Sequence, residues 1–340
     1  MKKIAIYGMG NFGYALAKHL NKKADAGEFL LHIYDIDPDL RRSLREQRVH
    51  LIHHKNVRIG DNVAVERTVK GLANGADILI LAVASEAVRK VLAEIKPHID
   101  KKIIILNTAK ALDPTTGERF SVMIENAMRD IQHPVSAAML SGGTIAKDLF
   151  YKNPLGVDIA CRDATALKTL KDIFVSDNLN VYTTSDLAGV EYAAAFKNIV
   201  SISAGVIKGL NFSYGSETHI ISRLSGELKS FAVAKLGARD ETFSTESQCW
   251  GNDMLMSATG NTRNREFGIL IGKGYAFKKA LEKMSKENKT VEGVSTLKVL
   301  EKIMTAHDHR TPLLSGMIDI ILKNKDPKKN ILKLMASNKI

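Results

Sequence analysis

Two hydrophobic patterns alternate through the first half of the chain. Short, mainly apolar runs at 3–7, 30–34, 78–82, 103–106, 136–140 and 156–160 are too short for helices and read as strands buried on both faces. Between several of them, apolar positions recur at helical spacing over 11–22, 38–46, 64–74, 86–96 and 117–130. Such alternation predicts a parallel sheet covered on both faces by helices. Ligands of these sheets sit beyond the carboxyl ends of the strands. The segments 8–13, 35–37, 82–85, 107–110 and 141–144 are therefore candidate site loops.

Past about residue 186 the strand pattern stops. Helical periodicity follows over 187–210, 217–236, 239–248, 265–273, 277–285, 293–306 and 311–323. A chain of 340 residues suits two cores. The expected fold is α/β: a Rossmann-type, doubly wound, mainly parallel sheet over 1–186, then a mostly α-helical second domain over 187–340. No Pro/Ser-rich linker separates them, so the boundary is a change of pattern.

The first strand meets the first helix in "IAIYGMGNFGYALAKHL", 4–20. Gly8 would allow a tight bend, Gly10 would leave room for a pyrophosphate, and Gly13 would let helix and strand pack closely. The free N–H groups and positive dipole end of the helix would then face the anion. Three glycines by themselves also make an ordinary loop. The second strand strengthens the dinucleotide reading, because it ends in Asp35, placed to meet a ribose hydroxyl.

Composition narrows the class. Apolar content of 45% and charged content of 25% are those of an ordinary globular chain. The formal charge of +12 fits nucleic acid, an acidic membrane surface or small phosphorylated ligands. Its basic residues are scattered among acids with no long Lys/Arg block, which favours small phosphates over nucleic acid. Cys161 and Cys249 are far apart and suggest a reducing compartment. Gly8 and Gly10 break the apolar N-terminus, and no charge-free apolar run reaches the ~18 residues of a membrane span. A cytoplasmic protein is expected.

Inside the apolar stretch "GVEYAAAFKNIVSISAGVIKGL", 189–210, stand Lys197 and Asn198. An ammonium buried there would favour its neutral form, the property of an acid or base working near neutral pH. The competing reading is a lysine that snorkels to the surface along its stem. Small residues Ala193, Ala194, Ala195, Ala204 and Gly205 would admit a close neighbour. Downstream, "CWGNDMLMSATGNTRNREFG", 249–268, sets Asp253, Ser257, Thr262, Arg263, Asn264 and Arg265 among apolar positions. A carboxylate, hydroxyls and an Arg beside an Asn suit a phosphorylated polyol; a polar surface loop is the other reading. His50, His53 and His54 lack a nearby acidic or Cys partner, so they read as a basic loop over the sheet edge and no metal site is expected. Trp250 reads as filler between helices.

Taken together these segments resemble the NAD(P)-dependent sn-glycerol-3-phosphate dehydrogenases. The resemblance is carried by "GMGNFGYALA" at 8–17, "AVASEAVRKVL" at 82–92, "TAKALDPTTGE" at 108–118 and "LSGGTIAKDL" at 140–149. It continues through "DLAGVEYAAAFKNIVSISAGVIKGL" at 186–210, "GNDMLMSATGNTRNREFG" at 251–268 and "TVEGVSTLKVL" at 290–300, in the same order and spacing. It implies interconversion of dihydroxyacetone phosphate and glycerol 3-phosphate, with a second domain like the C-terminal domain of 6-phosphogluconate dehydrogenases. By matching positions, Lys197 would be the acid/base, Asp253 would hold substrate and orient Lys197, and Lys110 would touch substrate and cofactor. Thr262, Arg263 and Asn264 would bind the phosphate end. Asn11 and Phe12 would belong to the cofactor turn with Gly8, Gly10 and Gly13, and Arg263 and Glu292 would reach the nicotinamide side. Gly142, Thr144 and Ala146 fall on the family's serine-glycine-proline segment, the first two toward substrate and Ala146 toward cofactor. A homodimer and a role in phospholipid supply are also implied.

Several positions depart from the family. Its proline after the third strand is Ala84 here, its glycine after the substrate-contacting lysine is Ala111, and its "SGP" proline and following aromatic are Gly143 and Ile145. The usual "GDL" reads Gly251-Asn252-Asp253-Met254, with one extra residue. Asp35 points to NAD, since a 2′-phosphate would meet its carboxylate; NADP is the alternative, and Arg41 and Arg42 read as a solvated helix face. A reductase of a small keto acid, of the ketopantoate type, and a catalytically silent dinucleotide sensor are the rival functions.

Overall fold

The strands are β1 (Lys2–Tyr7), β2 (Phe29–Tyr34), β3 (Ala64–Val65), β4 (Ile78–Leu81), β5 (Ile103–Asn107), β6 (Val135–Ser141), β7 (Leu155–Cys161) and β8 (Leu179–Thr184). They form one sheet in the order β3-β2-β1-β4-β5-β6-β7-β8. This computed structural model describes residues 1–307 and 309–336. Every pairing is parallel except β6 with β7. The order reverses between β1 and β4, the topological switch where doubly wound sheets bind ligands. Ile4, Ile6, Ile33, Ile78, Ile80, Ile105 and Leu106 are all fully buried, as strands covered on both faces require.

Three sequence expectations are corrected. Residues 64–74 were expected as one helix; they hold the two-residue strand β3, the N-cap Thr68 and the short helix Val69–Ala73. The cap's Oγ accepts from Gly71 N at 3.1 Å, so the helix starts there rather than at 64. The expected helix at 239–248 is instead a 3₁₀ turn, Asp240–Phe243, followed by a π turn, Gln248–Asn252. The edge strand β8 and the helix Ala164–Phe174 before it went unread.

The chain divides into two compact units. One comprises 1–110 and 120–187, the other 111–119 and 188–340. The segment 111–119, expected within the first domain, is counted with the second unit. Arg119 pairs there with the buried carboxylate of Glu191 at 3.1 Å. Gly117 lies so close to Val299 that a Cβ on it would stand 2.8 Å from a methyl.

The core of the second unit is the helix Leu187–Gly209. By length and composition it passes as a membrane span, yet its apolar window is 94% buried inside the protein. Glycines set its closest crossing. A Cβ on Gly268 would lie 2.0 Å from Ile202 O, and one on Gly205 would lie 2.1 Å from Arg265 O. Gly209 and Gly272 repeat this contact one turn further on. Only bare backbone permits this approach of the helix Arg263–Gly272.

Candidate active site

In the first unit, the turn after β1 has the shape a dinucleotide requires. Gly8 has a φ of +97°, and a Cβ there would sit 2.5 Å from Ala82 O. At Gly13 a Cβ would lie 2.0 Å from Gly8 O, whereas Gly10 faces open space. Gly10 caps the helix Asn11–Asp25 with no side chain of its own, leaving the first N–H groups open to an anion. Asn11 is exposed, and Phe12 is half-buried against the sheet's core. Asp35, just beyond β2, accepts from Met9 N through Oδ2 at 2.6 Å and from Asp37 N through Oδ1 at 2.9 Å. Its carboxylate thus ties the end of β2 to the glycine turn. These residues fit a nicotinamide dinucleotide.

Arg41 is not on a solvated face. Its guanidinium donates to Asp35 O at 2.5 Å and Ile36 O at 3.0 Å, and lies 4.9 Å from the centre of the Tyr34 ring. Arg42 is exposed and pairs with Asp39 at 3.3 Å.

The ends of β5 and β6 bring three more expected residues together. The Lys110 ammonium donates to Gly142 O. Thr144 is buried, and its N–H donates to the same carbonyl at 2.7 Å. Gly142 has no room for a side chain, since a Cβ would stand 2.6 Å from Gly156 O. Ala146 is buried as the first residue of the helix Ala146–Phe150. Ile145, in place of the expected aromatic, is half-exposed.

In the second unit Lys197 does not snorkel. It is only 8% exposed, and its ammonium donates to Asp253 Oδ1 at 3.1 Å and Ser257 Oγ at 3.0 Å. Asp253 is fully buried. Both acceptors lie on the helix Asp253–Thr259, one turn apart on one face. The π turn Gln248–Asn252 runs directly into this helix. Such a turn takes in one residue more than an α turn, as the expected added residue in Gly251-Asn252-Asp253 would require, and Asp253 beyond it faces the amine. Trp250, within the π turn, is buried with its ring 4.9 Å from that of Phe243, the filler role expected of it.

A hydrogen-bonded relay joins this pair to the Arg-Asn segment. Ser257 O accepts from Ser201 Oγ at 2.6 Å and from Thr262 Oγ1 at 3.0 Å. Thr262 in turn caps the helix carrying Arg263 and Asn264. Asn264 donates to Asn198 Oδ1 at 2.9 Å and accepts from Gly293 N at 3.0 Å, tying the residue after Lys197 to the helix Glu292–Thr305. Arg263 is half-exposed, its guanidinium 4.0 Å from Glu292, while the neighbouring Arg265 turns inward to Glu217 at 2.5 Å. Of the two arginines, only Arg263 is presented outward.

Sequence reasoning left Ser201 unread, and set Ser257 among the hydroxyls suited to a phosphorylated polyol rather than against the amine of Lys197. Spacing was the available signal, since each lies four residues after Lys197 or Asp253 on the same helical face. The histidine segment was also misplaced. It lies against the glycine turn, with His50 Nε2 donating to Met9 O at 2.8 Å and His54 Nε2 to Asn11 Oδ1 at 3.1 Å.

With this geometry stand the comparisons. The model for the NAD-dependent glycerol-3-phosphate dehydrogenase N-terminus matches residues 3–167, and that for the C-terminus matches 186–332. The chain belongs to the NAD-dependent glycerol-3-phosphate dehydrogenase family. A glycerol-3-phosphate dehydrogenase [NAD(P)+] from Staphylococcus haemolyticus is 28% identical over 340 residues, covering 100% of this chain and 99% of that protein. Among solved structures, the fold is shared with the glycerol-3-phosphate dehydrogenase of Plasmodium falciparum at a TM-score of 0.90 and 23% identity, covering 100% and 96% of the two chains. The enzyme from Coxiella burnetii matches at a TM-score of 0.84 and 24% identity, covering 98% of each chain. Membership of the dehydrogenase family makes the chain an NAD(P)-dependent oxidoreductase.

Proposed function

We propose that this enzyme reversibly reduces dihydroxyacetone phosphate to glycerol 3-phosphate, with Lys197 as general acid/base. The observation that carries the reading is the buried ammonium of Lys197, held by Asp253 and Ser257 and linked through Thr262 and Asn198 to the segment that presents Arg263. The first unit is read as the dinucleotide domain and the second as the substrate and catalytic domain.

Gly8, Gly10, Asn11, Phe12, Gly13, Asp35 and Ala146 would hold the dinucleotide, with Arg263 and Glu292 toward its nicotinamide end. A bound dinucleotide supplies the hydride in the reducing direction. As the carbonyl oxygen gains negative charge, Lys197 stabilises it and passes it a proton. In the oxidising direction the neutral amine takes that proton back. Asp253 fixes the amine's direction. Arg263, with Thr262 and Asn264, grips the phosphate and so positions the reacting carbon through a part of the substrate that does not react. Lys110, Gly142 and Thr144 are assigned to substrate as well. With Arg41 occupied by two carbonyls and Arg42 by Asp39, the Asp35 carboxylate sets the cofactor preference toward NAD.

The rival keto-acid reductase has no need of a phosphate grip, and a silent sensor has no need of Lys197 and Asp253. NADH oxidation with dihydroxyacetone phosphate, run beside dihydroxyacetone and ketopantoate, tests all three. A preference of at least ~100-fold in kcat/KM for the phosphate ester is expected, as befits a charge-assisted grip. Equal use of dihydroxyacetone, or turnover of ketopantoate alone, would overturn the substrate; NADH binding with no turnover would favour the sensor. The same reading implies a cytoplasmic homodimer feeding phospholipid synthesis, and light scattering on the purified protein tests the dimer.

A further inference from the structure

The segment between β2 and β3 is built onto the dinucleotide turn, and its chemistry extends beyond the family's motif. Val49 and Arg58 pair as an isolated antiparallel bridge, and Ile59 N donates to Arg48 O at 3.0 Å. The Tyr14 hydroxyl, on the helix after the turn, donates to Val57 O. His50 closes the segment from the other side. Its Nδ1 accepts from Ile52 N at 3.0 Å and His53 N at 3.1 Å, which leaves the ring proton on Nε2 to donate to Met9 O. The segment is therefore pinned at one end to the glycine turn and at the other to the helix that follows it.

His54 stands at its tip. Its φ of +48° is a left-handed conformation that a non-glycine residue adopts seldom, and such positions cluster at functional sites. The ring packs at a tilt of 42° against Phe150, with centroids 3.9 Å apart, and aims Nε2 at Asn11 Oδ1. Asn11 is the first residue of the helix whose open N–H groups face the anion site. An amide side chain there has two orientations, one presenting an acceptor to the pyrophosphate and the other presenting two donors.

We infer that His54 is a positioning residue for the dinucleotide: by donating to Asn11 Oδ1 it turns the Asn11 Nδ2 donors toward the pyrophosphate. An oxygen turned that way would oppose the phosphate's own oxygens. The inference rests on the reading of the glycine turn as the dinucleotide site and assigns His54 no contact with the cofactor.

The test is equilibrium binding of NADH and of ADP-ribose, which keeps the pyrophosphate and lacks the nicotinamide. His54→Leu, which keeps bulk against Phe150 but has no donor, should weaken both ligands about tenfold, the scale of one hydrogen bond. Turnover at saturating NADH should stay unchanged. His54→Gln, whose amide can donate to the same oxygen, should bind within about twofold of the unaltered protein. With Asn11→Ala already in place, His54→Leu should add no further loss. Should the leucine variant fail to fold, His54→Asn replaces it, since asparagine tolerates the left-handed backbone and is too short to reach Asn11. Unchanged binding in the donor-less variant, or an equal loss in the Asn11→Ala background, would overturn the inference while leaving the dinucleotide site standing. Absence of NADH binding by the unaltered protein would overturn both.

Discussion

The Asp253 carboxylate, with no exposed surface at all, accepts from the Lys197 ammonium at 3.1 Å across 56 residues of sequence. Removing the amine strips this carboxylate of its countercharge, so Lys197→Ala should lower stability by about 3 kcal/mol as well as abolish catalysis. Turnover should fall at least ~100-fold, the lower range for loss of a positioned acid. The double variant Lys197→Ala/Asp253→Asn should recover much of the stability and none of the activity. Urea denaturation and single-turnover kinetics on the same samples separate the two effects, and ordinary turnover in a folded Lys197→Ala protein would remove the residue from the mechanism.

Gly268 is the tightest point of the helix crossing that places Arg263 and Asn264 beside Asn198. Its missing Cβ would collide with a backbone oxygen, which cannot rotate away as a side chain would. Gly268→Ala should therefore lower stability by about 3 kcal/mol or more. Unfolding midpoints check the size, and a loss below about 0.5 kcal/mol would show that the helices part easily.

Asp35 is held by two backbone N–H groups just beyond β2, and the proposed function sets its carboxylate against the cofactor's ribose. NADH should exceed NADPH by at least ~10-fold in kcat/KM, because a 2′-phosphate would be brought against a carboxylate. Asp35→Ser should narrow that ratio chiefly by improving NADPH. A clear NADPH preference in the unaltered enzyme would defeat this assignment.

His50 gives stability a defined dependence on pH. Burial holds its pKa below 6.5, with the nearby His53 and His54 acting in the same direction and the Met9 carbonyl and Asp35 opposing. The Tyr14 ring also packs against it, 5.3 Å away between centroids. The unfolded chain binds this proton first, so stability is fully present above 6.5 and is lost as pH falls below it, down through the folded pKa. The slope from this one group cannot exceed about 1.4 kcal/mol per pH unit. His50→Gln should flatten the stability profile between pH 5 and 6.5, although His19, also pushed down by burial, keeps part of it. An identical slope in the variant would count against the fixed neutral ring.

The strands plainest in the sequence were those buried on both faces. Ile78–Leu81 and Ile103–Asn107 are nearly uninterrupted apolar runs, and no solvent-facing residue breaks their signal. β3 has two residues and no pattern to read. β8 lies at the sheet's edge, where Asn180, Tyr182 and Thr183 face outward and dilute the apolar signal. At the site, the glycine turn is local and legible as a spacing. Lys197 was noticeable because an ammonium in an apolar helix is chemically out of place. What spacing could not supply was contact between distant segments. The Asn198–Asn264 bond spans 66 residues and the His54–Asn11 bond spans 43.

The π turn at 248–252 has a consequence for how this enzyme can vary. In an ordinary helix a one-residue insertion rotates everything after it by about 100°, which would swing Asp253 to another face. Here the lengthened coil swallows the added unit within a single wide loop of backbone. Chain length at this turn is thereby uncoupled from aim, and the carboxylate keeps the face that meets the amine.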